Sequence, residues 1–109
     1  MLVPVWSLRR NGTLGIGDTT AVRALVDWAA GCELGFLQLL PINETGLDHS
    51  PYNAISSVAL EPSLLDLGLV PQLTEDDISR ACQKLAPEVF TKDLVDYASV
   101  KKLKRALLK

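Results

Sequence analysis

The order of elements in residues 1–41 constrains the fold of this chain more than any other feature. Two apolar runs, residues 2–8 (LVPVWSL) and 36–41 (FLQLLP), have the length of buried strands. Between them, apolar residues recur at the spacing of one helix face: Val22, Leu25, Val26 and Ala29. Strand, helix and strand form a βαβ unit, so we expect parallel strands with a right-handed crossover.

The turn before this helix contains GIGDTT, residues 15–20, at the place where dinucleotide-binding proteins carry a glycine-rich fingerprint. Thr20 stands at the third glycine position, and Asp18 lies where a phosphate would bind. A carboxylate at a helix N-terminus repels that anion. We therefore interpret the segment as a tight turn in which Asp18 or Thr19 caps the helix, with nucleotide binding as an alternative.

The second half of the chain predicts two more helices. Thr74 and Asp77 have the spacing of a capping box, and Pro87 should stop the helix that follows them. A last helix is expected over residues 98–108. Core-facing stripes are predicted at Ile78, Ala81, Cys82 and Leu85, and at Val100, Leu103 and Leu107. The basic residues of KKLKRALLK, at 101–109, then read as the solvent-facing side of the last helix.

Composition excludes several classes of protein. The chain has 109 residues, enough for one domain at most, and its net charge of −2 indicates no binding to nucleic acid or to an anionic membrane. No run has the length of a membrane span, and no signal peptide is visible. Cys32 and Cys82 fall on apolar helix stripes, which favours buried thiols over a disulfide or a metal site and indicates a reducing, cytoplasmic location.

A long loop, residues 41–53, follows the second predicted strand and has no helical or strand pattern. Loops of this length in compact domains are usually functional or disordered, and the prolines here favour order. The Ser50-Pro51 pair forces an extended backbone, from which Tyr52 would be presented. A phenol ring suits sugars, because their C–H faces pack on it while hydroxyls bond to Ser50 or Asn53. The alternative is that Pro51 and Tyr52 fold back as a minor core.

Titratable residues of the same loop do not form a convincing catalytic set. Asp48 and His49 are candidates for an acid–base pair, but adjacent residues in an extended segment point to opposite sides. Glu44 and Asp48 could form the carboxylate pair of a glycosidase, yet no helix holds them in register. We assign no catalytic residue and no metal ligand to this chain.

The predicted sheet is not closed, since two parallel strands leave two unpaired edges. The motifs that surround them resemble a known family: LVPVWSL, LGIGD, AVRALVDWAAGCELGFLQLLPINETG, SPYNAISSVALEPSLLDL and VDYASVKKLKRALL. They are similar to the N-terminal part of the 4-alpha-glucanotransferases of glycoside hydrolase family 77, also called amylomaltases or disproportionating enzymes. The resemblance extends over nearly the whole chain.

This resemblance implies an α/β fold in which residues 1–109 are the opening βα units of a single catalytic (β/α)8 barrel domain, incomplete in this chain. Residues 36–41 would be an early barrel strand, so the long loop would lie on the catalytic face. In the family the Ser-Pro-Tyr segment lines donor sugar subsites. Carried over by position, Ser50 and Tyr52 become glucan contacts, and Asn53 stands where many members have Gln. Leu47 replaces an aromatic residue of several members.

The resemblance also implies transfer of α-1,4-glucan segments between maltooligosaccharides by a retaining double displacement, without a cofactor or metal. In the family, the three catalytic acids come from later barrel strands, so this chain would contribute substrate-binding residues only. Asp48 and His49 stand where the family usually has Gly-Asp, and we assign neither a role. The alternative from another class is a non-catalytic glucan-binding or interaction module.

Overall fold

A computed structural model describes all 109 residues. Two strands, β1 (Leu2–Val3) and β2 (Gln38–Leu39), form its only sheet. They are parallel, with Leu2 opposite Gln38 and Val3 opposite Leu39, which confirms the predicted orientation. The helices are α1 (Thr19–Gly31), α2 (Glu75–Cys82), α3 (Glu88–Thr91) and α4 (Tyr97–Leu107), with 3₁₀ turns at Val5–Ser7, Pro62–Leu64 and Leu67–Leu69.

Both strands are much shorter than predicted, and Pro4 explains why β1 ends at Val3. The prediction of a strand over residues 2–8 is wrong beyond Val3. Proline has no N–H to donate to a ladder, and its carbonyl instead accepts hydrogen bonds from the Ser7 N–H and hydroxyl at 3.2 and 2.8 Å. The second strand is limited to Gln38–Leu39, and Phe36 before it is 70% exposed.

The turn before α1 is tight, as predicted. A β-carbon on Gly17 would lie 1.9 Å from the Val5 carbonyl oxygen, so only glycine fits there. The Asp18 carboxylate accepts a hydrogen bond of 2.9 Å from the Ala21 N–H, which confirms Asp18 as the cap. The predicted apolar face of α1 is only partly covered, since Ala29 is buried but Val26 is 49% exposed.

Helix α2 begins with the predicted capping box. The Thr74 hydroxyl accepts from the Asp77 N–H at 3.2 Å, while the Asp77 carboxylate accepts from the Thr74 N–H at 3.1 Å. The helix ends at Cys82, so Leu85 lies beyond it although it packs against the core. Pro87 does not stop α2 but precedes α3, a short helix that the sequence pattern did not indicate.

The core lies between the turn before α1, α3 and α4. Its central cluster is Val5, Ile16, Leu64, Val89 and Val100. Two expectations about burial are wrong: Cys32 is exposed and Cys82 half-buried, and the basic side of α4 is not uniformly solvated. Lys101 and Lys104 are buried, being 7% and 1% exposed. Helices long and apolar enough to cross a bilayer are absent.

Candidate functional site

The loop that follows β2 doubles back on itself. Residues 41–53 contain no helix or strand, as predicted, but two isolated antiparallel bridges link Asn43 to Leu60 and Thr45 to Ala54. Hydrogen bonds of 2.8 Å from the Glu44 N–H to Ala59 and from the Ile55 N–H to Glu44 hold the two arms together. We call residues 46–53, beyond the last bridge, the tip, and the bridge at Thr45 the neck.

Asp48 organises the tip. Its carboxylate accepts hydrogen bonds from the Asn53 side-chain amide at 2.7 Å and from the Ser50 N–H at 3.3 Å. The Asn53 N–H in turn donates to the Ser50 carbonyl at 3.1 Å. The bond from Asn53, and then that from Ser50, lower the pKa of Asp48 below its ordinary value. Two of the three predicted glucan contacts are thereby held together by a residue to which the sequence assigned no role.

Tyr52 points away from the body of the protein, and its side chain is 76% exposed. Pro51, beside it, is half-buried and lines a small cavity together with Trp6 and Tyr97. The alternative in which both residues fold back as a minor core therefore applies to Pro51 but not to Tyr52. Leu47, at the other end of the tip, is 98% exposed.

His49 contacts a different neighbour from Asp48. Its backbone lies in the left-handed region, with φ of 54°. Its ring stacks on that of Tyr97, with 5.5 Å between the ring centres and an angle of 16° between the planes. Burial raises the pKa of Tyr97 to about 12, so this phenol stays neutral. Asp48 and His49 therefore do not form an acid–base pair, because each is engaged by a different neighbour.

The neck is held by a buried ion pair. The Lys101 ammonium lies 2.8 Å from the Glu61 carboxylate and donates to the Thr45 carbonyl at 2.8 Å and the Thr45 hydroxyl at 3.0 Å. The same Glu61 oxygen accepts from the Thr45 N–H at 2.9 Å and hydroxyl at 2.8 Å. Burial alone would raise the pKa of Glu61, but the hydrogen bonds from Lys101 and Thr45 outweigh it and lower the pKa to about 2.

One face of α4 carries all of these supports. Tyr97, Lys101 and Arg105 recur every four residues and so lie along one side of the helix. Tyr97 stacks on His49, Lys101 donates to Thr45, and Arg105 forms an ion pair with Glu44. Glu44 is thus engaged by Arg105 while Asp48 is engaged by Asn53 and Ser50, so neither carboxylate of the predicted glycosidase pair is free. The spacing of Tyr97, Lys101 and Arg105 is the signal in the sequence that could have indicated this face.

Lys104 is the second buried cation, but it supports a different segment. Its ammonium donates to the Ser63 and Leu65 carbonyls at 2.8 and 2.6 Å. Burial lowers the pKa of Lys104 to about 8, although the negative charges of Asp18 and Asp66 partly oppose the shift. Lys104 therefore anchors the chain beyond the loop and makes no hydrogen bond to the tip or neck.

Arg10 contacts the turn of residues 15–20, which resembles a nucleotide-binding fingerprint. Its guanidinium lies 3.2 Å from the Asp18 carboxylate and 2.7 Å from that of Asp66. Asp18 is therefore bound to Arg10 and to the first turn of α1, and the contacts of this turn are structural. The structure gathers no cluster of three or more His, Cys, Asp or Glu side chains that could hold a metal.

Comparison of the sequence with known proteins identifies its family. The profile of the family described as 4-alpha-glucanotransferase matches residues 3–109. The chain is 38% identical over 109 residues to a 4-alpha-glucanotransferase of Chlamydia pneumoniae and 36% identical over 107 residues to that of Chlamydia muridarum, in each case over 98% of this chain and 20% of the relative. It is also 35% identical over 100 residues to 4-alpha-glucanotransferase DPE2 of Oryza sativa subsp. japonica, covering 87% of this chain and 10% of that protein.

The chain thus spans about one fifth of the length of its chlamydial relatives. The match nevertheless extends from β1 to the end of α4, and includes both the tip and the helix face that holds it. Because the family profile covers nearly every residue, this chain belongs to the 4-alpha-glucanotransferase family.

Proposed function

We propose that this chain is the N-terminal part of a 4-alpha-glucanotransferase and that its tip binds the α-1,4-glucan substrate through Ser50, Tyr52 and Asn53. The observation that carries the proposal is an exposed aromatic ring on a loop that is otherwise tightly held. Tyr52 is 76% exposed, while Ser50 and Asn53 beside it are fixed by Asp48. A ring in this setting offers its face to the C–H groups of a sugar at little entropic cost.

The fold supports the same location. In a barrel of parallel strands, substrates bind on the loops that follow the carboxyl ends of the strands. The tip belongs to the loop that follows β2, which is paired in parallel with β1. We infer that β1 and β2 are the first two strands of a (β/α)8 barrel whose remaining strands lie outside this chain.

The catalytic acids are expected elsewhere in the protein. Retaining glucosyl transfer needs one carboxylate to attack the anomeric carbon and one carboxylic acid to protonate the leaving oxygen. Three carboxylates of this chain are already engaged by cations: Glu44 by Arg105, Glu61 by Lys101 and Asp66 by Arg10. We therefore assign this chain a role in substrate binding. The attack by the carboxylate, which lies elsewhere in the protein, forms a glucosyl-enzyme, and the 4-hydroxyl of a second glucan then captures the glucosyl group and releases the carboxylate. The two free thiols of this chain suit a reducing compartment such as the cytoplasm.

The activity is tested by incubating the full-length protein with maltoheptaose and separating the products by chain length. A glucanotransferase yields a ladder of shorter and longer maltooligosaccharides. Release of glucose alone would identify a hydrolase. Binding of maltoheptaose without any redistribution would identify the non-catalytic glucan-binding module instead.

The role of the tip is tested by Tyr52→Ala in the same protein. We expect kcat/KM for maltoheptaose to fall about 10- to 100-fold, the range for loss of a central aromatic contact. The free energy of unfolding should change by less than about 0.5 kcal/mol, because the ring is exposed. Val58→Ala is the matched control, since Val58 is 92% exposed but lies outside the tip. Parallel losses of activity and stability in Tyr52→Ala would show that the ring is a packing residue.

A further inference from the structure

We propose that Lys101 is a positioning residue for glucan binding, which acts through Thr45 at the neck and so determines where the tip presents Tyr52. The inference rests on the proposed function of the tip. It adds a residue of α4 that lies outside the loop and has no contact with sugar assigned to it.

The bonding of Thr45 shows why Lys101 acts on the position of the loop. Both backbone polar groups of Thr45 are held by side chains, because its N–H donates to Glu61 and its carbonyl accepts from Lys101. The hydroxyl joins the same network, donating to Glu61 and accepting from Lys101. The position of this residue is therefore fixed by an ion pair instead of by a continuous sheet ladder.

The tip depends on that point. The bridge between Thr45 and Ala54 closes it, and its eight residues beyond the bridge form no helix or strand. Its hydrogen bonds through Asp48 are internal, so they fix the shape of the tip but not its orientation. Orientation comes from α4, through the stacking of His49 on Tyr97 and the bonds of Lys101 at the neck.

Removal of the ammonium should release the neck. The buried Glu61 carboxylate would lose its cation, and the Thr45 carbonyl would lose its donor, which is strongly unfavourable for groups out of water. The loop can relieve both by moving toward solvent, and that movement would carry Tyr52 away from the bound glucan. Loss of this contact weakens binding of the substrate and its transition state alike, so the effect should appear in KM.

Lys104 provides a matched control on the same helix. It is as buried as Lys101 and also donates to backbone carbonyls, but those belong to Ser63 and Leu65, beyond the loop. Replacing either lysine by methionine removes one buried ammonium and keeps the length and apolar character of the side chain. The two variants therefore differ in which segment is released.

The experiment measures kcat and KM for maltoheptaose in the full-length Lys101→Met, Lys104→Met and Lys101→Arg proteins, below their unfolding temperatures. We expect Lys101→Met to raise KM about tenfold or more with kcat changed by less than about twofold, as expected for loss of uniform binding. Lys104→Met should lower the unfolding temperature but leave KM unchanged. Lys101→Arg keeps the charge opposite Glu61 and should restore most of the affinity.

Other outcomes overturn the inference. A normal KM in Lys101→Met, or equal increases in Lys101→Met and Lys104→Met, would show that Lys101 serves stability alone. If Lys101→Met does not fold, Glu61→Gln removes the charge from the other side of the same contact, and it should also raise KM. An unchanged KM in a folded Glu61→Gln protein would contradict the inference. If the full-length protein without substitutions forms no ladder from maltoheptaose, the proposed function itself is refuted. Failure of the proposed function can therefore be distinguished from failure of the inference about Lys101.

Discussion

Helix α4 buries two lysine side chains, whereas α1 and the segment before β2 each expose a large aromatic ring. Lys101 and Lys104 are 7% and 1% exposed, while Trp28 and Phe36 are 54% and 70% exposed. A buried charge is tolerated only when its partners are in place, and both lysines find theirs within this chain. Large exposed rings mark a surface that another element covers. The exposed rings are thus where the barrel proposed above would continue.

The strongest test of this comparison is Phe36→Ala in the full-length protein. If later strands cover the edge of β2, the ring is buried there, and its removal should lower the free energy of unfolding by about 3–5 kcal/mol. Chemical denaturation monitored by fluorescence measures the loss. Leu94→Ala is the control, because Leu94 is 83% exposed and lies on the α4 side. A change below about 0.5 kcal/mol in Phe36→Ala would mean that the edge remains in solvent.

A smaller change in the free energy of unfolding should appear at acidic pH, at the buried pair of Glu61 and Lys101. The pKa of Glu61 is about 2 in the folded protein against an ordinary value of 4.5. Between these values the unfolded state binds more protons, so stability rises with pH across this window and is lost as the pH falls through it. Glu61→Gln cannot titrate. Its deficit in unfolding free energy relative to the parent should therefore be full above pH 4.5 and shrink toward pH 2.

The measurement is a series of urea unfolding curves of both proteins across that range. Because the carboxylate is paired with Lys101, the effect should exceed that of an exposed carboxylate. A deficit that stays constant from pH 4.5 down to pH 2 would contradict an ionised Glu61 in the folded protein.

The smallest effect is expected at the exposed start of α2, where no residue of the helix is buried. Thr74→Ala removes the hydroxyl that accepts from the Asp77 N–H. We expect a loss of about 1 kcal/mol, the typical contribution of an N-cap, in thermal unfolding of the full-length protein. Thr74→Ser keeps the hydroxyl and should recover most of it. A loss as large as that of Phe36→Ala would show that α2 supports more than its own first turn.

Local features were predicted well from the sequence because their causes are local. The Asp18 cap and the capping box of Thr74 with Asp77 join residues three positions apart, and short spacing is visible in a sequence. The parallel pairing of β1 and β2 followed from the order of elements. The length of β1 was overestimated, because an apolar run does not show where the carbonyl of Pro4 bonds to Ser7.

The polar network of the site could not be predicted in the same way. Lys101 and Glu61 are 40 residues apart, and a lysine on a helix has the same pattern whether it faces water or a buried carboxylate. The basic side of α4 was therefore interpreted as solvated. Ser50, Tyr52 and Asn53 came from the resemblance and stay predictions as glucan contacts. The structure adds Asp48, whose role in the tip no periodicity indicated.

The separation between the loop and α4 has a consequence for how the site is assembled during synthesis. Thr45 is 56 residues from Lys101, and Glu44 is 61 residues from Arg105. Contacts so distant along the chain form late, since their closure entropy must be met first. A nascent polypeptide halted before α4 would carry every side chain of the tip without the bonds that orient them. The proposed glucan site would thus be oriented only when the ribosome delivers α4, long after it has delivered the loop.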